Sequence, residues 1–415
     1  MMIKPLNARP LYKSLSSAYQ GSLPVDHQKD SSERGLVMKR LRNPARLMRA
    51  VLAVGLGLAV LAGQAPAEDA AAGAGESAEK HRAATAPDRI TIGAIRWDAW
   101  FDDKVNPYEK NLADRKWHGR LPFYATVTSD TEVEVHGDTP EAVDQEIAYA
   151  KAGGIDYFAF IYYWKGARGD GFEHDNLNRA RRLYLKSKHK ADINFCLIVY
   201  PRQNEDEIRE WIDMMQEPNY QKVAGGRPLL YLMFWDNSES PERVFGSMEK
   251  ARAHIENLRK RIIDSGQKNP YFVAMTQSPA AGAAAVEGAG LDAMGAYTTF
   301  GGPDYAGLCK AHARHWDGMK ATGRKVVPNL TAGWGGPRDN LGDRQQPTPD
   351  ALAAHVRSAF AWVDANPDAA EAKTMLFYAW NEIDEGGWLV PDKGQGTAKL
   401  DAIRGVVEER NRRER

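Results

Sequence analysis

The sequence predicts a (β/α)8 barrel, an α/β fold of the TIM-barrel type, over residues 89–412. Apolar runs of strand length recur eight times from Ile90 onward, and each is rich in β-branched and aromatic residues. Helical patterns with recognisable start signals separate these runs. The runs are continuously apolar rather than alternating, which is typical of parallel strands buried on both faces. Eight strand–helix units in this length match the barrel fold.

The predicted strands cover, in chain order, Ile90–Trp97, Ile155–Trp164, Ile193–Tyr200, Leu229–Trp235, Tyr271–Thr276, Leu291–Tyr297, Lys325–Leu330 and Thr374–Trp380. An open doubly wound sheet is the alternative arrangement, but it usually carries a glycine-rich phosphate loop after its first strand. Here the first strand ends in Arg96-Trp97-Asp98, and no such loop follows. We therefore favour the barrel.

Three of the predicted helices begin with the same device. In Thr139-Pro140-Glu141, a threonine N-cap precedes a proline at the first helical position and an acidic first turn. Ser240 and Thr348 are each followed by proline and an acidic residue in the same way. Glycines mark the predicted ends of three helices, at Gly153-Gly154, Gly266 and Gly323.

The first 88 residues are predicted to lie outside the barrel. Residues 1–37 form a disordered or misassigned extension, and we expect translation to begin at Met38. Basic residues after Met38, the apolar run 50–63 and the small-x-small sequence Ala65-Pro66-Ala67 have the layout of a secretory signal over residues 38–67. An uncleaved membrane anchor is the alternative, but the run is about 14 residues long, where a span needs roughly 20.

Residues 68–88 are rich in Ala, Gly, Glu and Ser and predict a flexible linker. Together with the signal, this predicts a secreted or periplasmic protein that keeps no membrane span after cleavage. We expect the mature protein to be a monomer.

The composition excludes several classes of function. The 55 basic and 55 acidic residues leave no net charge, which disfavours nucleic acid as a partner because such proteins need a basic excess. Two cysteines exclude a disulfide scaffold and a thiolate zinc cluster. We expect both, Cys196 and Cys309, to be small buried side chains. None of the 10 histidines forms His-Glu-x-x-His or an equivalent cluster, so no metal or cofactor is expected.

Aromatic residues cluster where the predicted strands end, which in a barrel is the edge that carries the active site. Flat apolar rings beside polar groups match the C–H-rich faces and hydroxyl edges of sugars. The candidate substrate-binding residues are Trp97, Tyr163, Trp164, Tyr200, Trp235, Asp236, Tyr297, Trp334, Trp380, Asn381 and Trp388. The alternative is that these rings fill the top layer of the barrel, and Asp236-Asn237 equally fits a turn.

Three acidic residues, Glu382, Asp384 and Glu385, lie within four positions directly after the eighth strand. Two carboxyls at close range push their pKa values apart, so that one holds a proton while the other is ionised. Cleavage of a glycosidic bond uses such a pair. The alternative is a solvated acidic loop with an asparagine N-cap.

The motif Trp380-Asn381-Glu382-x-x-Glu385-Gly386, followed by Leu389-x-Pro391, resembles the signature of glycoside hydrolase family 99 and its WbsX-like relatives. The resemblance implies that Glu382 acts as a base toward the sugar 2-hydroxyl and Glu385 as general acid and then general base. It also implies retention of configuration through a 1,2-anhydro sugar. Ile383 stands where the family commonly has Trp, and Asp384 where the endomannosidases have His, so the sugar, the linkage and endo or exo action stay open.

The sequence therefore predicts an exported retaining glycoside hydrolase that acts on an oligosaccharide or polysaccharide. A catalytically inactive carbohydrate-binding barrel is one alternative, although it would be expected to have lost one of the two carboxylates. A WbsX-like glycosyltransferase is the other. The export signal disfavours it because activated nucleotide sugars are cytoplasmic.

Overall fold

The computed structural model describes residues 89–102, 106–163, 174–200, 204–233, 240–338 and 342–415. Its strands are β1 Thr91–Arg96, β2 Ala125–Ser129, β3 Glu132–Val135, β4 Tyr157–Tyr162, β5 Asn194–Val199, β6 Lys222–Val223, β7 Arg227–Met233, β8 Tyr271–Met275, β9 Ala293–Gly295, β10 Lys325–Val326, β11 Asn329–Thr331, β12 Thr374–Tyr378, β13 Asn381–Glu382 and β14 Gly387–Trp388.

Its α-helices are α1 Glu109–Leu112, α2 Pro140–Ala152, α3 Arg179–Lys186, α4 Glu205–Met214, α5 Pro241–Phe245, α6 Met248–Asp264, α7 Pro279–Ala289, α8 Tyr305–Ala321, α9 Pro349–Ala365 and α10 Ala398–Arg413. Short 3-10 helices cover Arg115–Arg120, His174–Asn178 and Lys190–Asp192.

The parallel strands form one curved sheet in the order β10-β9-β8-β7-β5-β4-β1-β12-β11. β10 and β11 are two halves of one chain segment, of which the first pairs with β9 and the second with β12. Between them stands Pro328, which has no N–H to donate, while its carbonyl accepts from Leu376 N at 3.0 Å. The sheet therefore returns to its starting edge and forms an α/β barrel, as the sequence predicts.

Each of the eight predicted runs contains a parallel strand segment, with differences at the ends. The fourth strand, β7, begins two residues earlier than predicted, because Arg227 pairs with Val223 of β6. The sixth shortens to three residues, and the seventh is interrupted before Pro328. Apolar composition thus located the strands, whereas proline and local pairing set their limits.

Two hairpins were not predicted from the sequence. β2 and β3 pair within the long loop after β1, and β13 and β14 pair within the acidic segment after β12. Four of the five side chains of β2 are exposed, so this strand contributes little apolar pattern. β13 and β14 have two residues each, too few to show a period.

The predicted helix starts are confirmed, with one difference. The hydroxyls of Thr139 and Thr348 accept from the backbone N–H three residues later, at 3.1 and 3.2 Å. Ser240 precedes α5 without such a bond, and α5 stops at Gly246, whose φ is +86°. Ser247 then caps α6 through Lys250 N. Glycines follow α2, α6 and α8 near the predicted positions 153, 266 and 323.

A buried ion network lies between β1 and α2. Arg96 contacts Asp98 at 2.8 Å and Glu146 at 2.6 Å, and all three side chains are buried. The other oxygen of Glu146 accepts from the indole N–H of Trp380 at 2.9 Å. This network ties the segment that follows the eighth barrel strand to the surrounding helix layer.

Both cysteines are free; Cys196 is buried and Cys309 is half-buried. Across the part of the chain that the structure describes, no helix combines the length and the apolar character needed to cross a bilayer.

Candidate active site

The acidic segment is a tight hairpin fixed at the carboxyl end of the barrel. Trp380 O accepts from both Leu389 N and Val390 N at 2.9 Å, which holds the far arm of the hairpin. The side-chain oxygen of Asn381 accepts from Trp97 N at 2.8 Å, and Asn381 O accepts from the indole of Trp100 at 2.7 Å. The hairpin is therefore hydrogen-bonded to the end of β1.

The turn of this hairpin requires glycine at position 386. Its φ is +88°, and a Cβ there would lie 2.2 Å from Gly335 O. The close approach allows Gly335 N to donate to Glu385 O at 2.8 Å, while Gln346 donates to Gly386 O at 2.9 Å. The loop after β11 is thereby joined to the acidic turn, and it brings Arg338 to the carboxyls.

Glu382 is 3% exposed. Its Oε1 accepts a hydrogen bond from the hydroxyl of Tyr297, which follows β9. Its Oε2 is buried and has no hydrogen-bond partner among the described residues. A buried carboxyl oxygen without a partner is costly for the protein, so a donor from a ligand that reached Oε2 would complete its hydrogen bonding.

Glu385 is 6% exposed and has a partner on each oxygen. Arg338 contacts Oε1 at 2.6 Å, and the hydroxyl of Tyr378 donates to Oε2 at 2.6 Å. Tyr378 is the last residue of β12, and its ring lies 5.5 Å from that of Tyr297. The two tyrosines hold the two glutamates beside each other at the mouth of the barrel.

Asp384 is the third buried carboxyl, and it belongs to the same turn. Asn111 of α1 donates to its Oδ2 at 2.8 Å, and Arg338 lies 3.9 Å from the same atom. Its Oδ1 is buried without a hydrogen-bond partner in the described part of the chain. Arg338 therefore faces two carboxylates at once.

Burial dominates the titration of these acids. It raises the pKa of Glu382 well above the ordinary value; the charge of Glu385 raises it further, and Arg338 opposes the rise. Burial also raises the pKa of Asp384, to about 6, against the effect of Arg338. Burial and the neighbouring glutamates raise the pKa of Tyr297 and Tyr378, so both hydroxyls stay protonated donors.

Three of the predicted substrate-binding rings surround these groups. Arg338 lies 5.3 Å above the ring of Trp97. The ring of Trp334 lies 5.6 Å from that of Tyr378. Tyr297 is the hydrogen-bond donor to Glu382. All three side chains are buried at the edge where the strands end.

Tyr163 and Tyr200 follow the neighbouring strands β4 and β5. Their ring centroids are 6.3 Å apart, and Tyr200 contributes to the raised pKa of Tyr297. The predicted residues Trp164, Trp235 and Asp236 lie outside the described residues.

The structure corrects two predicted sugar contacts. Trp380 is fully buried, with its indole N–H on Glu146 and its ring 5.0 Å from Phe158, so it packs against the helix layer. Trp388 is 5% exposed, donates to Asp392 at 2.8 Å and is covered by Lys399, whose Nζ lies 3.3 Å from the ring centroid. Asn381 uses its side-chain oxygen within the protein, as described above. The alternative of a solvated acidic loop is also wrong, because all three acids are buried.

Three residues that contact the carboxyls were not predicted from the sequence: Arg338, Tyr378 and Asn111. Tyr378 ends the eighth strand, so the rule that selected the other rim aromatics also applies to it. Arg338 lies in the loop after β11 and Asn111 in the short helix α1, and neither has a spacing relative to the acidic motif that a sequence shows. Within the described ranges, no group of three or more His, Cys, Asp or Glu side chains is placed to hold a metal ion.

Lys399 provides a test of the electrostatics beside the hairpin. It is 4% exposed and donates to Trp388 O at 3.0 Å. Burial lowers its pKa to about 7, with Asp392 opposing the change and Arg120 adding to it. The unfolded chain then binds more protons than the folded one between pH 7 and the ordinary lysine value of 10.5. This lysine therefore makes the protein more stable as pH rises through that window.

We expect Lys399→Met to lose this pH dependence. Between pH 7 and the ordinary lysine pKa, the free energy of unfolding of the wild type should rise relative to that of the variant by about 1.4 kcal/mol for each pH unit. Urea unfolding at several pH values between 6 and 9.5 measures the difference, with the exposed Lys393→Met as the control. Parallel stability curves for wild type and Lys399→Met would contradict the lowered pKa.

Solved structures with a similar fold include two of the GH99 endo-alpha-mannosidase from Bacteroides thetaiotaomicron. The one in complex with bis-tris propane has 16% sequence identity and a TM-score of 0.51, and the other has 15% and 0.50. Each comparison covers 78% of this chain and 98% of that chain. No family model and no curated protein matches the sequence. At these identities the similarity shows the fold, and it confirms the resemblance to glycoside hydrolase family 99 at that level.

Proposed function

We propose that this protein is a glycoside hydrolase that cleaves O-glycosidic bonds in an oligosaccharide or polysaccharide. The observation that carries the proposal is the pair Glu382 and Glu385, two buried carboxyls in electrostatic contact at the carboxyl end of an α/β barrel. Each is held by a tyrosine hydroxyl, and aromatic rings lie beside them. An acid and a base or nucleophile in one site is what glycosidic cleavage requires.

The unpartnered oxygen of Glu382 supports its role as the base. A sugar 2-hydroxyl that donates to Oε2 would complete its hydrogen bonding while Tyr297 keeps Oε1 in place. Glu382 removes the proton of the 2-hydroxyl as that oxygen attacks C1, and Glu385 gives a proton to the departing oxygen. Glu385 then takes a proton from water, whose oxygen attacks C1 and breaks the C1–O2 bond of the 1,2-anhydro ring. Glu382 returns its proton to the 2-oxygen, and the configuration at C1 is retained.

A second assignment of roles is favoured by the ionic partners in the free protein. Arg338 pairs with Glu385, whereas burial raises the pKa of Glu382 and so favours a proton there. In this arrangement Glu382 is the acid, and Glu385 is the base or nucleophile. The leaving-group experiments in the Discussion separate the two assignments, because only the acid becomes dispensable when the leaving group needs no proton.

The test of the proposed function is a screen of the purified full chain against a panel of polysaccharides and oligosaccharides, reading the size of released products. Glu385→Gln serves as the matched inactive control. We expect at least one glycan to be cleaved by the wild type and not by the variant. Binding of a glycan without cleavage, by both proteins alike, would contradict the hydrolase and favour a carbohydrate-binding barrel.

Export is part of the same proposal. Residues 38–67 carry the predicted signal and residues 68–88 the predicted linker, and both lie outside the described residues. We expect the N-terminus of the exported protein, determined by sequencing, to lie directly after Ala67. An exported chain that retains the apolar run 50–63 would contradict cleavage and favour the uncleaved anchor.

A further inference from the structure

Phe300 is an exposed aromatic ring next to the carboxyl edge of the barrel. It follows β9, and 40% of its surface is accessible. Among the described residues, the large apolar side chains that are exposed to this degree are Val127, Ile263 and Phe300, so it is the aromatic one. The exposed part of this ring is an apolar surface that a ligand can contact.

A continuous series of rings joins Phe300 to the glutamates. The centroid of Phe300 lies 4.7 Å from that of Trp334, with the planes at 72°. Trp334 lies 5.6 Å from Tyr378, and Tyr378 lies 5.5 Å from Tyr297. Tyr378 and Tyr297 are the donors to Glu385 and Glu382. Exposure falls along this series, from 40% at Phe300 to 7% at Trp334 and none at Tyr378.

The segment that carries Phe300 is held in place. Gly302 has a φ of +74° and packs so closely on Gly307 that a Cβ would lie 2.4 Å from its carbonyl carbon. Gln345 donates to the carbonyls of Gly301 and Gly302, at 3.1 and 2.5 Å. Trp334 N in turn donates to Gln345 O at 3.2 Å. One set of hydrogen bonds therefore fixes both rings relative to each other.

We propose that Phe300, supported from behind by Trp334, forms a second sugar-binding position, remote from the bond that is cleaved. The inference rests on the proposed function, which it deepens by naming a side chain that contacts a sugar unit beyond the cleaved bond. A ring fixed in advance contacts the C–H face of a sugar with little loss of conformational freedom. The hydroxyls of a sugar at that position remain in water. The contact should therefore strengthen binding of longer glycans without selecting which sugar is bound.

The test compares oligosaccharides of increasing length from the glycan that the wild type cleaves. We expect Phe300→Ala to lower kcat/KM for the longest substrate by about threefold to tenfold, the range typical of one aromatic contact. The shortest cleavable substrate should be almost unaffected, and Phe300→Tyr should behave as wild type on all lengths. Ile263→Ala is the control, since that side chain is similarly exposed, at 46%, near the end of α6.

Calorimetric binding to the inactive Glu385→Gln protein, with and without Phe300→Ala, repeats the comparison without catalysis. A length-dependent loss of affinity in that background supports the second position. An equal loss on all lengths would overturn it, because it would mean that Phe300 only supports Trp334. Absence of any cleavage by the wild type contradicts the proposed function instead. Calorimetric binding of the oligosaccharides of the screening panel, with and without Phe300→Ala, then tests the second position by itself.

Discussion

Glu385→Gln should reduce kcat/KM for the natural glycan by about 10²–10⁴, the usual contribution of a general acid. The amide cannot supply a proton to the departing sugar oxygen, which is a poor leaving group. The same variant should keep kcat/KM for the corresponding glycosyl fluoride, measured by fluoride release, within about tenfold of the wild-type value, because fluoride departs without a full proton transfer and kcat/KM does not include the later attack of water. Steady-state kinetics on the two substrates measure the contrast.

The control for this variant is Glu207→Gln. Glu207 is 4% exposed in α4, where it completes a capping box with Asn204 that glutamine also satisfies. It should retain wild-type activity on both substrates and a similar thermal midpoint. If Glu385→Gln retains full activity on the natural glycan, Glu385 is not the acid. If Glu385→Gln also loses activity on the glycosyl fluoride, Glu385 acts in a step that does not depend on the leaving group.

The charge balance of the site explains why Arg338 matters to this chemistry. Burial would lower its pKa, but the charges of Glu385 and Asp384 outweigh that effect and raise it, so the guanidinium stays charged. It lies 2.6 Å from Glu385 and 3.9 Å from Asp384, and it stacks over Trp97. Arg338 therefore holds a positive charge against both carboxyls.

The barrel could be predicted from the sequence because its signal is repeated and local. Each strand is a separate apolar run. Helix caps such as Thr139 and Thr348 can be recognised from the cap and the three residues that follow it. The acidic segment was located for the same reason, since Glu382, Asp384 and Glu385 adjoin the last run. The fold class and the position of the acids can therefore be predicted from short stretches of sequence.

The partners of the acids depend on contacts distant in sequence. Asn111 reaches Asp384 across 273 positions, and Tyr297 reaches Glu382 across 85. Such pairs are decided by how the barrel closes, not by local pattern. The same cause explains the error at Trp380, which lies two residues past the end of β12 and already contacts Glu146 of the helix layer.

Glu382→Gln should reduce kcat/KM by about 10²–10⁴ on the natural glycan and, unlike Glu385→Gln, by a similar factor on the glycosyl fluoride. Attack of the 2-hydroxyl on C1 needs a base whatever group departs, and an amide oxygen is too weak a base to replace the carboxylate. Kinetics on the same two substrates, with Glu207→Gln as the control, measure this. The exchanged pattern, with fluoride activity kept in Glu382→Gln and lost in Glu385→Gln, would contradict the proposed roles and establish Glu382 as the acid.

A 2-fluoro glycosyl fluoride adds an independent readout to the same comparison. This substrate has no 2-hydroxyl, so a 1,2-anhydro intermediate cannot form from it, and we expect the wild type to remain unlabelled and active after incubation. A carboxylate nucleophile would instead attack C1 directly, displace the fluoride at C1 and stay esterified to the sugar. Mass spectrometry of the intact protein detects the added mass. An adduct on Glu385 would show that the carboxylate paired with Arg338 is the nucleophile, and the base role of Glu382 would fall with it.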